Sequence, residues 1–250
     1  YGGDIGQLTE ETPGHWVFTA REKKIAMNGG TVTENIVSSD MALTLTQPYN
    51  LEPDRTIPAA GVNPGRNRCY DFFTAMYGAD KKEVLSQIVN VKFRGRNVPF
   101  SKNGGAAAAL RRVAAELEAA AAKDPGLKPL LIPDGGFYWR RIAGETCLSP
   151  HSFGIAIDLN TKYATYWKWH KNPDAPHPQQ TSYPSVIVKA FEDNGFIWGG
   201  KWHRFDIMHF EYRPEIILQA KKKAVEAEPC VPVRESGSGA EKKESAPLPE

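Results

Sequence analysis

The 250 residues are 41% hydrophobic and 10% aromatic, enough to bury the core of one large domain or two small ones, so the chain reads as globular. Its formal charge is only +2, from 31 basic against 29 acidic residues, which leaves no strong field to steer it onto a polyanion and removes nucleic acid as the default partner. No apolar run approaches the roughly eighteen residues that a membrane span needs, so no membrane span is expected.

The first residue, Tyr1, fits a processed or truncated form. Residues 1–60 form a strand-rich N-terminal extension by pattern: extended stretches at Trp16 to Ala20 and Thr31 to Val37 flank the turn signal Asn28-Gly29-Gly30. The proline-broken segment Leu51 to Asn67 reads as an ordered loop. Asp80 and Glu83 make a capping-box pattern ahead of Val84, Leu85, Ile88 and Val89, which predicts a short helix. Ala106 to Ala122 is the clearest helix, with Leu110, Val113, Ala114 and Leu117 on one face and Asp124-Pro125-Gly126 as its stop.

A further helix is expected after Pro184, with Val186, Ile187, Ala190 and Phe191 facing inward and Gly195 ending it. Pro214 to Ala227 reads as the last helix. Residues 229–250 carry four prolines, a Gly-Ser-Gly run and almost no bulky apolar residue, the composition of a disordered tail. Cys69, Cys147 and Cys230 allow at most one disulfide and match no paired-cysteine zinc motif.

Two segments carry chemistry. Ser149 to Asp158 places His151 and Asp158 seven residues apart around Gly154 and the alternating Ile155-Ala156-Ile157, so a loop residue and a strand residue can face one cavity. Trp202 to Glu211 puts Asp206 and His209 together in an apolar, strand-like run. Two imidazoles and one carboxylate suffice for a catalytic zinc, which keeps its fourth position for water. Asp206 would face away from His209 on an ideal strand, so a base role for it requires a strand end or a bulge.

Several alternatives stay open on residue type alone. Cys147 is a possible fourth ligand that would close the site; His170, His177 and His203 fit ordinary solvation or packing; Arg140 and Arg141 are both within reach of a developing oxyanion. Glu211 shares strand parity with His209 and suits an acceptor that orients it. Tyr166, Trp167 and Trp202 fit either a core or a substrate-binding wall.

The pattern Ser-x-His-x-x-Gly-x-Ala-x-Asp, followed by Asp-x-x-His-Phe-Glu, resembles the D-alanyl-D-alanine carboxypeptidase family, which includes VanY-like and VanX-like enzymes and L-alanyl-D-glutamate endopeptidases. The resemblance spans roughly residues 60 to 215 and takes in Gly65-Arg66, Phe72-Phe73, Phe137-Tyr138-Trp139-Arg140 and Phe196 to Trp202. It implies that His151, Asp158 and His209 bind Zn2+, that Asp206 is the catalytic base, and that Arg140 binds substrate and stabilises charge. Ser149 and Glu211 would support the ligands. Pro150 directly before the first ligand and Cys147 four residues before it depart from the family pattern.

The expected architecture is α+β: a zinc peptidase domain over 61–228 in which a small antiparallel sheet carries the site and helices pack on one side. The implied substrate is peptidoglycan or a muropeptide, and the implied location is secreted or periplasmic. A non-catalytic zinc-containing module that binds cell-wall peptide or a protein partner is the alternative, and retention of Asp206 and Arg140 argues against it.

Overall fold

The N-terminal sheet is a three-stranded antiparallel meander built from β1 (Thr9–Thr12), β2 (His15–Ala20) and β3 (Lys23–Ala26). This computed structural model describes residues 1–29, 37–38 and 40–227. The expected tail at 229–250, Cys230 and most of the extended stretch Thr31 to Val37 lie outside those residues.

The partner of Trp16 to Ala20 is β3, and the chain reverses at Arg21-Glu22 rather than at Asn28-Gly29-Gly30. Pairing Phe18 with Ile25 buries both side chains on one sheet face, and that gain fixes the register although Arg21 must adopt a φ of 55°. Asn28 is used otherwise: its side-chain oxygen accepts from Trp16 N at 2.5 Å, and its own amide donates to Asp40 at 2.8 Å.

β4 (Val37–Ser38) runs parallel to β5 (Arg68–Cys69), and α1 (Met41–Thr44) starts on an Asp40 cap. Residues 45–67 form no regular element, as their prolines imply. β5 leads directly into α2 (Tyr70–Tyr77), which buries Phe72, Phe73, Met76 and Tyr77. In α3 (Lys81–Ser86) Asp80 accepts from Glu83 N, the cap foreseen in the sequence.

That helix stops at Ser86. Ile88 and Val89 belong instead to β6 (Ile88–Phe93), which forms a hairpin with β7 (Arg96–Ser101). Val91, Phe93, Val98 and Phe100 are buried while Lys92 is exposed and Pro99 only partly buried between them, so a period of two wins over continuation of the helix. α4 (Ala106–Lys123) packs on this hairpin and buries Leu110, Val113 and Leu117.

The second half builds the sheet that matters for function. β8 (Pro133–Gly135), β9 (Ala156–Leu159), α5 (Gln179–Ser182), α6 (Ser185–Asp193), β10 (Phe196–Trp198), β11 (His209–Tyr212) and α7 (Pro214–Ala227) follow in order. The strands form one antiparallel sheet, β10-β11-β9-β8. Alternation along β11 sends Phe210 into the core and His209 and Glu211 to the other face. α6 covers the core side, where Phe191 stacks on Phe210 with ring centroids 3.9 Å apart. Val188, not Val186, completes its buried face, because Val186 falls on the outer side and is 45% exposed.

One apolar core joins these parts: Phe18 and Ile25 of the N-terminal sheet share it with Phe72, Phe191 and Phe210. The fold is thus α+β, with small antiparallel sheets and several helices. Among the described residues no helix is long and apolar enough to cross a membrane.

Phe210 links the helix layer to the strand that carries His209. Phe210→Ala is expected to lower stability by about 3–5 kcal/mol, the usual cost of a truncated core aromatic, read from the urea midpoint at constant slope. A loss below about 1 kcal/mol would show that the two layers do not depend on this contact.

Candidate metal centre

His151 lies in a single 3-10 turn, Pro150–Phe153, just before β9. Ser149 caps that turn by accepting from His151 N, and Pro150 sits at its first position, where a fixed φ suits the turn and no donor is lost. The departure at position 150 therefore has a local structural reason. Gly154 ends the turn at a φ of 66°, where an added Cβ would stand 2.5 Å from Ile88 Cδ1 and 3.0 Å from Ser101 N, so only glycine fits. Asp158 and His209 are direct register partners across β9 and β11.

The three side chains converge. His151 Nε2 lies 3.2 Å from Asp158 Oδ1 and 3.3 Å from His209 Nδ1, and His209 Nδ1 lies 3.0 Å from Asp158 Oδ1. Ligand atoms around a tetrahedral zinc, with bonds of about 2.0–2.1 Å, stand about 3.3 Å apart. The triangle already has that edge.

The outer nitrogens fix what the inner ones offer. His151 Nδ1 is 2.7 Å from the carbonyl of Gly136, which can only accept, so Nδ1 carries the proton and Nε2 presents a lone pair. His209 Nε2 is 3.4 Å from Glu211 Oε2, which commits that nitrogen as donor and turns Nδ1 inward. With His209 neutral, two lone pairs and a carboxylate oxygen thus face one point, an arrangement suited to a metal cation or, without one, to a proton on His209 Nδ1 shared with Asp158.

Glu211 is fully buried. Burial alone would raise its pKa, but Arg68, the His209 hydrogen bond and Arg213 outweigh that and hold it well below the usual carboxylate range. Its Oε2 accepts from Arg68 at 3.1 Å and its Oε1 from Arg213 at 3.0 Å. For His209, burial pushes toward the neutral ring, while hydrogen bonds to Asp158 and Glu211 raise its pKa to about 9. Asp158 is driven down, against its burial, chiefly by His151.

Asp206 precedes β11, in a turn closed by His209 N donating to its carbonyl at 3.2 Å. The strand begins only at His209, so the two side chains escape strict alternation. Asp206 N donates to Gly199 O at 2.9 Å, and the chains approach so closely that a Cβ on Gly199 would stand 2.4 Å from the Asp206 carbonyl. The Oδ1 atom of Asp206 is sealed from solvent and has no hydrogen-bond partner. Burial raises the Asp206 pKa to about 6, with His209 and Arg66 pulling the other way.

A cleft of about 350 Å3 opens on this centre, lined by Asp158, Asp206 and His209 together with Ser149, Arg140 and Tyr166. Trp202 forms part of its wall, buried beneath Arg66 and 5.7 Å from the His209 ring. Arg140 is exposed at the cleft, its backbone pinned to Ser152 Oγ, whereas Arg141 turns to the carbonyl of Thr146. Trp167 is not part of the lining; Lys168 and Arg204 pack against its ring. The Cys147 thiol bonds Glu145 and stays out of the triangle, and Cys147 and Cys69 are both free. His170 and His177 pack against each other and against Phe205 with their rings tilted or edge-on.

Residues 143–212 match the family model described as D-alanyl-D-alanine carboxypeptidase. This segment carries that family's signature. The carboxypeptidase match contains all three convergent side chains and Asp206, while Arg66, Arg68 and Arg140 lie before it. No curated protein and no solved structure gives a significant match.

Sequence reasoning missed Arg68 and Arg213 as the partners of Glu211. A signal existed for Arg213: His209, Glu211 and Arg213 share one parity in an apolar run, which places two opposite charges on the site face. Arg68 left no comparable mark, being 143 positions from Glu211.

With its pKa at about 9, His209 is protonated at neutral pH until a metal displaces that proton. The apparent zinc dissociation constant is therefore expected to fall by up to about tenfold from pH 7 to pH 8, the limit for one displaced proton, measured by competition with a chromophoric chelator. A pH-independent affinity would show that His209 is not a ligand.

Proposed function

We propose that the chain is a zinc peptidase that hydrolyses peptide bonds of peptidoglycan stem peptides, with His151, Asp158 and His209 as the zinc ligands. The observation that carries this reading is Asp206, a carboxylate with one oxygen sealed and unpartnered, on a cleft that Asp158 and His209 of the convergent triad also line. A structural metal site has no use for such a group, and a hydrolytic one requires it.

Zinc bound to this triad supplies a Lewis acid for the scissile carbonyl and brings the pKa of water toward about 7. Asp206 takes the proton from the attacking water and returns it to the leaving nitrogen. Its elevated pKa, about 6, suits a group that must do both near neutral pH. Arg140, at the cleft rim, stabilises charge on the carbonyl oxygen. Tyr166 and Trp202 shape the wall against which a short peptide lies, and the cleft volume falls within the range of small-ligand sites. Glu211 and Ser149 keep the ligands oriented.

The family description supports cell-wall peptides as the substrate class, and on that reading we place the protein in the cell envelope, secreted or periplasmic. The bond cut is either that to a terminal D-alanine or that between L-alanine and D-glutamate. Incubation with defined muropeptides, with and without chelator, and mass analysis of the products tests the activity: chelator-sensitive hydrolysis is expected, and intact muropeptides with the zinc-loaded chain would overturn the reading.

The roles separate by mutation. Asp206→Ala is expected to keep near-stoichiometric zinc while turnover falls by about a hundredfold or more, and Asp206→Glu to retain measurable activity. His209→Ala is expected to lose zinc as well as turnover. Equal zinc loss in Asp206→Ala and His209→Ala would make Asp206 a ligand rather than the base.

A further inference from the structure

Three guanidinium groups, those of Arg66, Arg68 and Arg140, line the cleft, and they differ in what already holds them. Arg68 is spent on Glu211, with 4% of its side chain exposed. Arg140 is exposed, and its one side-chain hydrogen bond is a 3.5 Å contact with the next residue's carbonyl. Arg66 is fixed but not neutralised. Its Cζ sits 4.5 Å from the centroid of the Trp202 ring and its Nη2 donates to Arg204 O at 2.9 Å. Its Nε is sealed from solvent without a partner, and no ion pair is formed by this side chain among the described residues.

The loop that presents Arg66 is fixed from both sides. Gly65 O accepts from the buried Arg213 at 2.9 Å, and Asn63 Oδ1 accepts from Arg204 N at 2.9 Å. A planar cation stacked on an indole, held at Nη2 and with Nη1 neither bonded nor sealed, is set up to bind a carboxylate without losing side-chain freedom at that moment. Arg66 and Asp206 line the same cleft.

The two candidate bonds share one chemical feature. The residue that leaves as the amine carries a free α-carboxylate in both, as the chain terminus for D-alanine and as the unlinked carboxyl for a γ-linked D-glutamate. We propose that Arg66 binds this α-carboxylate, and so selects substrates that bear it. The proposal rests on the peptidase reading above.

Two probe pairs test it with the zinc-loaded full chain: diacetyl-L-lysyl-D-alanyl-D-alanine and its terminal amide, and an L-alanyl-γ-D-glutamyl peptide and its α-amide. The wild type is expected to favour the acid over the amide in kcat/KM by about tenfold or more, as loss of a charged hydrogen bond implies. Arg66→Gln should bring that ratio to within about twofold of unity, through KM rather than kcat, and Arg66→Lys should restore part of it. Melting temperature and zinc content report whether each variant is folded.

An undiminished ratio in Arg66→Gln, or its loss in Arg140→Gln instead, would overturn the assignment. Should the wild type cut neither pair, the peptidase reading fails, and calorimetry with the same peptides still decides on Arg66. Tighter binding of the acid that disappears in Arg66→Gln supports it; equal binding of acid and amide, or no binding of either, rejects it.

Discussion

Glu211 holds a negative charge with no exposed surface, and it does so because Arg68, Arg213 and His209 surround its two oxygens. Removing one partner from such a buried set leaves an uncompensated charge, which commonly costs about 3–5 kcal/mol, so the group locks its neighbours in place. From it, order spreads in three directions. His209 Nε2 is committed, which turns Nδ1 toward Asp158. Arg213 reaches the Gly65 carbonyl and Glu215, and Glu215 accepts from Tyr1. Arg68 ties the strand preceding α2 to β11. Residues as far apart as Tyr1 and Glu215 are thereby held in one network.

The apolar layer and the polar layer are two faces of the same strand. Phe210 is anchored by Phe191 on one side, while His209 and Glu211 point to the other, so packing in the core sets the depth at which the ligand triangle sits. Backbone contacts supply the remaining constraints. The Gly136 carbonyl fixes the His151 tautomer, and the near approach of Gly199 to Asp206 holds that carboxylate in the turn before β11. Preorganisation of this kind lets a charged site operate with little rearrangement on binding.

The convergent triangle was legible because its chemistry is encoded locally: a histidine and an aspartate around a turn-forming glycine, and a second histidine opening a strand. The need for a bend at Asp206 followed from strand parity, and the chain meets it with a turn rather than a bulge. Other features depend on residues far apart. The β6–β7 hairpin was hidden because Val84 and Leu85 continue into Ile88 and Val89 without a break, and only burial against α4 resolves the period. The hairpin turn at Arg21 defeated the stronger turn signal at Asn28 because Phe18 and Ile25 must share a face. Arg66 sat in a proline-broken loop, and nothing local indicates that Trp202 lies beneath it.

The claim on which the rest stands is that a zinc ion is held by two imidazoles and one carboxylate with a place left for water. X-ray absorption at the zinc edge of the metal-loaded protein measures that directly. Four nitrogen or oxygen neighbours at about 2.0–2.1 Å, two of them with the outer-shell scattering of imidazole, are the expected result. A sulfur neighbour at about 2.3 Å, or a single imidazole, would contradict it.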